Sequence, residues 1–223
     1  MYLNNRIKIV IIFLLAATAG FGQQLQFSIA TDLGVQRSLK KDQQFWSVGH
    51  TVNALFNLAP KDAVYVWFAY YTNGNFRNNL IATAKDAQTI PQEVEYINRS
   101  QIRFKHFSIG YRKYLKGACD IEQGWSLYAS GGFGLIPGRV TNVLTVAIDT
   151  SLYKVPVRNG RANFKRLTAD LALGFEKPIG ADFFFYSEGR VWIPASDYPS
   201  KYLFINNNAP LAVMLNLGLR ILF

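Results

Sequence analysis

Two residues apart, His106 and Ser108 offer an imidazole and a hydroxyl, and Asp120 follows with a carboxylate. A hydroxyl becomes a nucleophile when a neighbouring base takes its proton and an acid orients that base, so these three types can supply nucleophile, base and orienter. Other candidates are sparser. His50 is the second of only 2 histidines, and two isolated histidines have no metal-ligand spacing. Cys119 is the 1 cysteine of the chain, which excludes an internal disulfide and a thiolate cluster. Gly131, Gly132 and Gly134 read as part of a strand rather than as a loop opening a helix, so they make no phosphate cradle. They suit bending or close packing of a sheet instead. This inventory leads to no metal and no cofactor.

The elements that must hold such groups are strands. At the C-terminus Leu211, Val213, Leu215, Leu217, Leu219, Ile221 and Phe223 alternate with Ala212, Met214, Asn216, Gly218, Arg220 and Leu222, a period of two sustained to the last residue. Near the start, Leu25, Phe27, Ile29, Leu33 and Val35 oppose Gln24, Gln26, Ser28, Asp32 and Gln36. Trp46 to Leu58 alternates in the same way and ends in a tight turn, Ala59 to Asp62, that contains Pro60. Val64 to Tyr71 is apolar on both faces, which leaves its register open. Thr72 to Arg99 is rich in Asn, Lys, Asp and Gln without a sustained period and reads as a long loop. Ile102 and Phe104 share one parity and Phe107, Ile109 and Tyr111 the other, which predicts a bulge near Lys105 and His106. After a connection from Lys116 to Gly124, a fifth strand spans Trp125 to Leu135 and leaves the apolar zone at Pro137 and Gly138. Residues 140–161 suggest a hairpin extending the wall into solvent, with a turn at Asp149 to Ser151. Strands over Leu167 to Glu176 and Phe183 to Ile193 flank a short turn, and a loop from Pro194 to Asn208 precedes the last strand.

Composition fits two apolar environments. Charged residues make up 17% and aromatic residues 15%, with a mean hydropathy of +0.06, whereas soluble domains usually carry about 25% charged residues. The formal net charge is +10, which suits anionic headgroups or acidic polymers. Nucleic acid is not the expected partner, because Lys and Arg are scattered and no recognition helix or zinc motif accompanies them. Asn4 to Lys8 supplies a positive start, Ile9 to Ala17 an apolar run, and Gly20 and Gly22 the small residues before Gln23. Residues 1–22 are therefore expected to be a cleaved signal peptide, too short to span a bilayer. One barrel, residues 23–223, follows.

Lipid satisfies no backbone N–H or C=O, so strands cross a bilayer only when they close into a barrel without edges. The pattern predicts an all-β fold, a single antiparallel up-and-down transmembrane β-barrel of about eight strands. From a periplasmic N-terminus, the turns near residues 60, 120 and 180 fall on one side and the longer loops on the other. Trp46 and Trp192 then belong to the outer aromatic girdle and Trp125 to the periplasmic one. The face opposite the lipid stripe carries Asp32, Asp170, Glu176, Glu188, Arg190 and Arg220. In a bore just wide enough for side chains to fill, these are expected to pair as a polar network rather than line a channel.

In these features the mature chain resembles the small OmpA- and OmpX-like outer-membrane barrels of Gram-negative bacteria. Asn216, Gly218, Ile221 and Phe223 reproduce the polar, glycine, hydrophobic and terminal aromatic spacing of the signal read by the barrel assembly machinery. The resemblance implies an integral, multi-pass location in the outer membrane, contact with its lipid, and that machinery as a partner during biogenesis. It also implies a monomer and a structural or surface-binding role through long extracellular loops, about residues 72–100 and 137–162, toward an extracellular ligand. A porin-like channel is the alternative. The His106–Ser108 spacing is similar to the His-x-Ser pattern of outer-membrane lipid A deacylases. Ile109 stands where that pattern has Asn, Asp120 replaces Glu, and the topology puts Asp120 in a periplasmic turn. No catalytic residue, and no enzyme, is therefore expected.

Overall fold

Alternation with a period of two sends one face of each strand to lipid and the other to whatever the sheet encloses. A computed structural model of the chain describes residues 26–195, 202 and 211–223. The expected signal peptide lies outside the described residues, as does most of the loop expected between Pro194 and Asn208. The strands are β1 (Gln26–Ser38), β2 (Trp46–Ala59), β3 (Asp62–Ala84), β4 (Glu93–Lys116), β5 (Ser126–Leu144), β6 (Tyr153–Lys154), β7 (Gly160–Gly180), β8 (Phe183–Pro194) and β9 (Ala212–Leu222). β6 is a short addition to the far end of β3, where Thr83 pairs with Lys154 and Ala84 with Tyr153. The other eight run in the order β2-β1-β9-β8-β7-β5-β4-β3, and β2 also pairs with β3, which closes the sheet. At the seam, β1 and β9 pair from Ser28↔Leu222 to Ser38↔Ala212. The N–H of Phe223 then donates to the carbonyl of Phe27 at 2.8 Å.

The turns at 60–61 and 181–182 and the connection 117–125 share one end, and the longer connections share the other. Outward faces of β1, β2, β7 and β9 expose Ile29, Leu33, Val48, Val52, Leu171, Leu173, Leu215 and Leu217. A belt of that kind on a closed wall is a lipid-facing surface.

Four expectations need correction. The stretch 72–99 is mostly strand, because β3 continues to Ala84 and β4 begins at Glu93. Above the bilayer the alternation persists in inverted form. Phe76, Leu80, Ala82 and Tyr96 face inward, while Arg77, Asn79, Glu95 and Arg99 face solvent. A register shift between Tyr71 and Gly74 also switches β3 from odd to even inward residues and hides the period. Second, β4 has no bulge at Lys105 and His106, since even residues from Val94 to Tyr114 point inward throughout. Ile102 and Phe104 are lumen residues above a stretch whose lipid face begins at Phe107. The ladder to β5 is only interrupted, between Phe104↔Gly138 and Phe107↔Leu135, opposite Pro137, which has no N–H to donate.

Third, β5 does not end at Leu135 but runs on to Leu144, while its outward face leaves the apolar zone after Pro137, at Arg139. Fourth, Trp192 is 2% exposed and sits in the lumen, whereas Trp46 at 59% and Trp125 at 39% face outward as expected. The open register of β3 is settled, with Tyr65, Trp67, Ala69 and Tyr71 inward. The excursion 140–161 extends the wall as expected. Its turn forms at Asp149, whose carbonyl accepts from the N–H groups of Leu152 and Tyr153.

Candidate functional site

The lower bore is crossed by a chain of alternating charge. Arg220 on β9 donates to Glu176 on β7 at 3.0 Å, Glu176 accepts from Arg112 on β4 at 2.9 Å, and Arg112 reaches Glu188 on β8 at 3.3 Å. Glu188 in turn accepts from Nε of Arg190 at 2.8 Å. Tyr114 and Tyr128 donate their hydroxyls to Glu176 and Glu188. Arg112 stacks 3.7 Å over Tyr128, Arg220 3.9 Å over Phe184 and Arg190 4.4 Å over Trp67. Each guanidinium thus has a carboxylate at its edge and a ring on its face, an arrangement its planar fork and weak hydration suit. Four of the six polar lumen residues read from the sequence stand in this chain. Arg112 was missed, although its parity opposite Ile109 and Tyr111 places it inside.

Below the chain, Cys119 is buried in the β4–β5 connection, its carbonyl accepting from Arg220 at 2.7 Å. Burial pushes its thiol pKa up to about 11, so little thiolate is present near neutral pH.

Higher up, the other two predicted lumen residues serve separate clusters. Asp32 accepts from Thr51 and from the hydroxyl of Tyr186, and Asp170 accepts from Ser108. His106 Nε2 lies 2.9 Å from Thr168 Oγ1 and 3.5 Å from Asp170. The sequence-derived constellation is therefore half assembled. Ser108 and His106 both meet a carboxylate, but it is Asp170, while Asp120 lies exposed in the β4–β5 connection. Ser108 donates to the acid rather than to the imidazole, so the order nucleophile, imidazole base and orienting acid is not formed. All three groups are buried. His50 faces outward and meets Thr31 at 2.8 Å.

Above these clusters the bore is plugged by rings. Trp192 makes edge contacts with Trp67, Tyr71, Phe104 and His106 at centroid distances of 5.8, 5.6, 5.6 and 4.3 Å. Phe45, from the β1–β2 loop, folds in against Phe76 and Phe104. A cavity of about 50 Å³ remains beside Gln36, Phe164 and Trp192, room for a water or two.

Beyond the plug, the wall is uneven. β3 and β4 have 23 and 24 residues, but β8 and β9 only 12 and 11, while about ten tilted residues cross a bilayer. The surplus stands above the membrane as a raised sheet of β3, β4, β5 and β7. Its inner face is closed by a second apolar core of Leu80, Ala82, Tyr96, Tyr153 and Val157. The crest is tied by Lys85 N–H to Leu152 O at 2.9 Å and Tyr153 Oη to Pro91 O at 2.9 Å.

At the other end, Lys116 lies 3.6 Å over Trp125, and Lys113 meets Asp62 at 2.6 Å. Of the terminal-strand residues, Asn216 faces inward and accepts from Tyr71 at 3.1 Å. Gly218 lies against β1, where a Cβ would come within 2.2 Å of Thr31 O. Ile221 is half-buried on the outward parity of β9, and Phe223, just past its end, is exposed.

A closed, eight-stranded barrel with short turns at one end, a filled bore and an apolar belt is the fold of the small outer-membrane β-barrels, and the belt is that of a wall built to cross a bilayer. Neisserial surface protein A is similar in structure, with 8% identity over 87% of this chain and 96% of its own and a TM-score of 0.56. A major outer membrane protein from Thermus thermophilus is also similar, with 10% identity over 90% of this chain and 100% of its own and a TM-score of 0.54. No protein-family model and no curated protein matches the chain.

Proposed function

We propose that this barrel is a non-enzymatic, non-conducting surface protein that works through its raised extracellular wall. The observation that carries the reading is the division of the molecule at the aromatic plug. The bore below is occupied by paired charge and rings, while the sheet above has its own core and a tied crest. A bare loop needs no second core to stay soluble, and a preformed surface lowers the ordering cost of binding. The ligand contacts are assigned to the crest segments 85–92 and 145–152. The protein is exported by the segment 1–22, is inserted by the barrel assembly machinery through β9 and Phe223, and acts as a monomer.

The test is an array of surface glycans and extracellular-matrix proteins probed with the refolded barrel. Variants with 86–91 or 146–151 replaced by short Gly-Ser turns are expected to lose binding while keeping the heat-dependent gel mobility of a folded barrel. Undiminished binding after both replacements would overturn the reading.

A further inference from the structure

The outer face of the raised sheet, just above the lipid belt, carries a cluster of like charge. On β4, Arg103 and Lys105 point outward directly above Phe107, on β5 Arg139 stands above Leu135, and on β7 Lys165 stands above Leu167. The register brings them together, because Arg103 pairs with Arg139 and Pro137 pairs with Lys165. A further pair, Arg77↔Arg99, lies higher on the same face. Two cross-strand arginine pairs on one face are unfavourable by themselves, since like charges directly opposite destabilise a ladder. Among the described residues no carboxylate is in ion-pair range of Arg103, Lys105, Arg139 or Lys165. Arg139 is held instead by Asn163 Oδ1 at 3.1 Å and Arg103 by Gln101 Oε1 at 3.4 Å.

The four cations rim an open cleft of about 820 Å³ whose floor includes Tyr70, Phe107 and Pro137. Among the described outward residues of β8, β9, β1 and β2, the upper ends present Ile193, Val213, Val35 and Val48, and Arg37 stacks 4.7 Å over Trp46. Among the described strand residues the unpaired cluster therefore stands on β4, β5 and β7.

We infer that Arg103, Lys105, Arg139 and Lys165 form a binding site for the phosphate-bearing headgroup of a lipid in the outer leaflet. Phosphate oxygens would bridge the two guanidinium groups and the two ammonium groups and relieve the repulsion between Arg103 and Arg139. The acyl chains would run down over Phe107, Leu135 and Leu167. That continuity of cationic rim and apolar surface favours a lipid over a soluble polyanion, which would have no use for the lower half of the cleft. The site rests on the membrane placement of the barrel and not on the ligand-binding role of the crest.

Native mass spectrometry of the refolded, detergent-solubilised barrel would test it with diphosphorylated lipid A, its dephosphorylated form and a heparin oligosaccharide as probes. The wild type is expected to retain diphosphorylated lipid A. Retention should be weaker by about tenfold or more in a variant carrying R103Q, K105Q, R139Q and K165Q, given that each basic group near a charged bilayer surface is worth about fivefold. Dephosphorylated lipid should bind the wild type no better than it binds the variant, and R37Q should behave as wild type. Should the fourfold variant fail to fold, R103Q with R139Q serves, because it removes a repulsive pair. Equal retention of all lipids by wild type and variant would overturn the site, and so would charge-dependent binding of heparin without binding of lipid A.

Discussion

Glu176 has both oxygens out of water and takes hydrogen bonds from Arg112, Arg220 and Tyr114 at 2.9, 3.0 and 3.1 Å. Its neutralisation is more damaging than its size suggests, because it takes the carboxylate from buried Arg220 and leaves buried Arg112 with Glu188 alone. Breaking a buried ion pair on one side costs about 3–5 kcal/mol. Glu176→Gln is expected to lower stability by about that amount, read as the urea midpoint of reversible folding into lipid vesicles. An unchanged midpoint would mean that the chain of charges contributes little. Ser108 belongs to a different case. It is a donor to Asp170 rather than to the imidazole of His106, so Ser108→Ala is expected to cost about 1–3 kcal/mol by leaving a buried acceptor unmet. Neither the wild type nor Ser108→Ala is expected to release fatty acid from lipid A. Release by the wild type that vanished in the variant would restore the catalytic reading of His106 and Ser108.

At the scale of the strand, the packing depends on places with no side chain. Gly110 on β4 pairs with Gly132 on β5, and the hydroxyl of Tyr65 lies where a Cβ on either would come within 2.5 Å. Tyr65 can cross the bore toward Arg190 because both walls are bare. Gly132→Val would also press on the carbonyl of Ile109, 2.5 Å from the added carbon. The β4 backbone cannot yield as a flexible side chain could, so this substitution is expected to destabilise the barrel by about 1–3 kcal/mol or more, seen as loss of the heat-resistant folded band in detergent gels. A variant with full folded yield and wild-type stability would show that β4 and β5 separate more easily than their ladder suggests.

The strands inside the bilayer were legible because lipid demands an apolar outer face. β1, β2, β7, β8 and β9 followed the alternation from Phe27 to Phe223, and the polar lumen face came with them. The raised parts of β3 and β4 were not, because above the bilayer water no longer requires Arg77, Asn79 or Glu95 to be apolar, and the register shift at Tyr71 breaks the count. Trp192 was misread for a related reason. Its parity marked it as a lumen residue, but its type suggested the girdle, and parity won because rings are what fills the upper bore. Asp170 was recognised as a lumen acid but not as the partner of Ser108, since strand pairing between β4, β5 and β7 fixes that meeting and no local spacing reveals it.

For the whole molecule the question is whether the bore conducts. Two barriers stand in series along it. The lower is the sequence Arg220, Glu176, Arg112, Glu188 and Arg190, in which every charge contacts one of opposite sign, so an ion entering would have to displace a paired partner in a region of low dielectric. The upper is the cluster around Trp192, whose contacts with Trp67, Tyr71 and Phe104 leave a cavity of about 50 Å³ beside it. Opening one barrier leaves the other shut. Refolded wild-type protein is therefore expected to give no steady single-channel steps in planar bilayers, and Trp192→Ala should be equally silent even though a large-to-small change there costs about 3–5 kcal/mol. Conductance should appear only when Trp192→Ala is combined with Arg112→Ala, which removes the central cation joining Glu176 to Glu188 and uncouples the two carboxylates. Steady steps from the wild type would overturn the filled-bore reading, and steps from Trp192→Ala alone would show that the aromatic plug is the only barrier and the charged chain below it is already permeable.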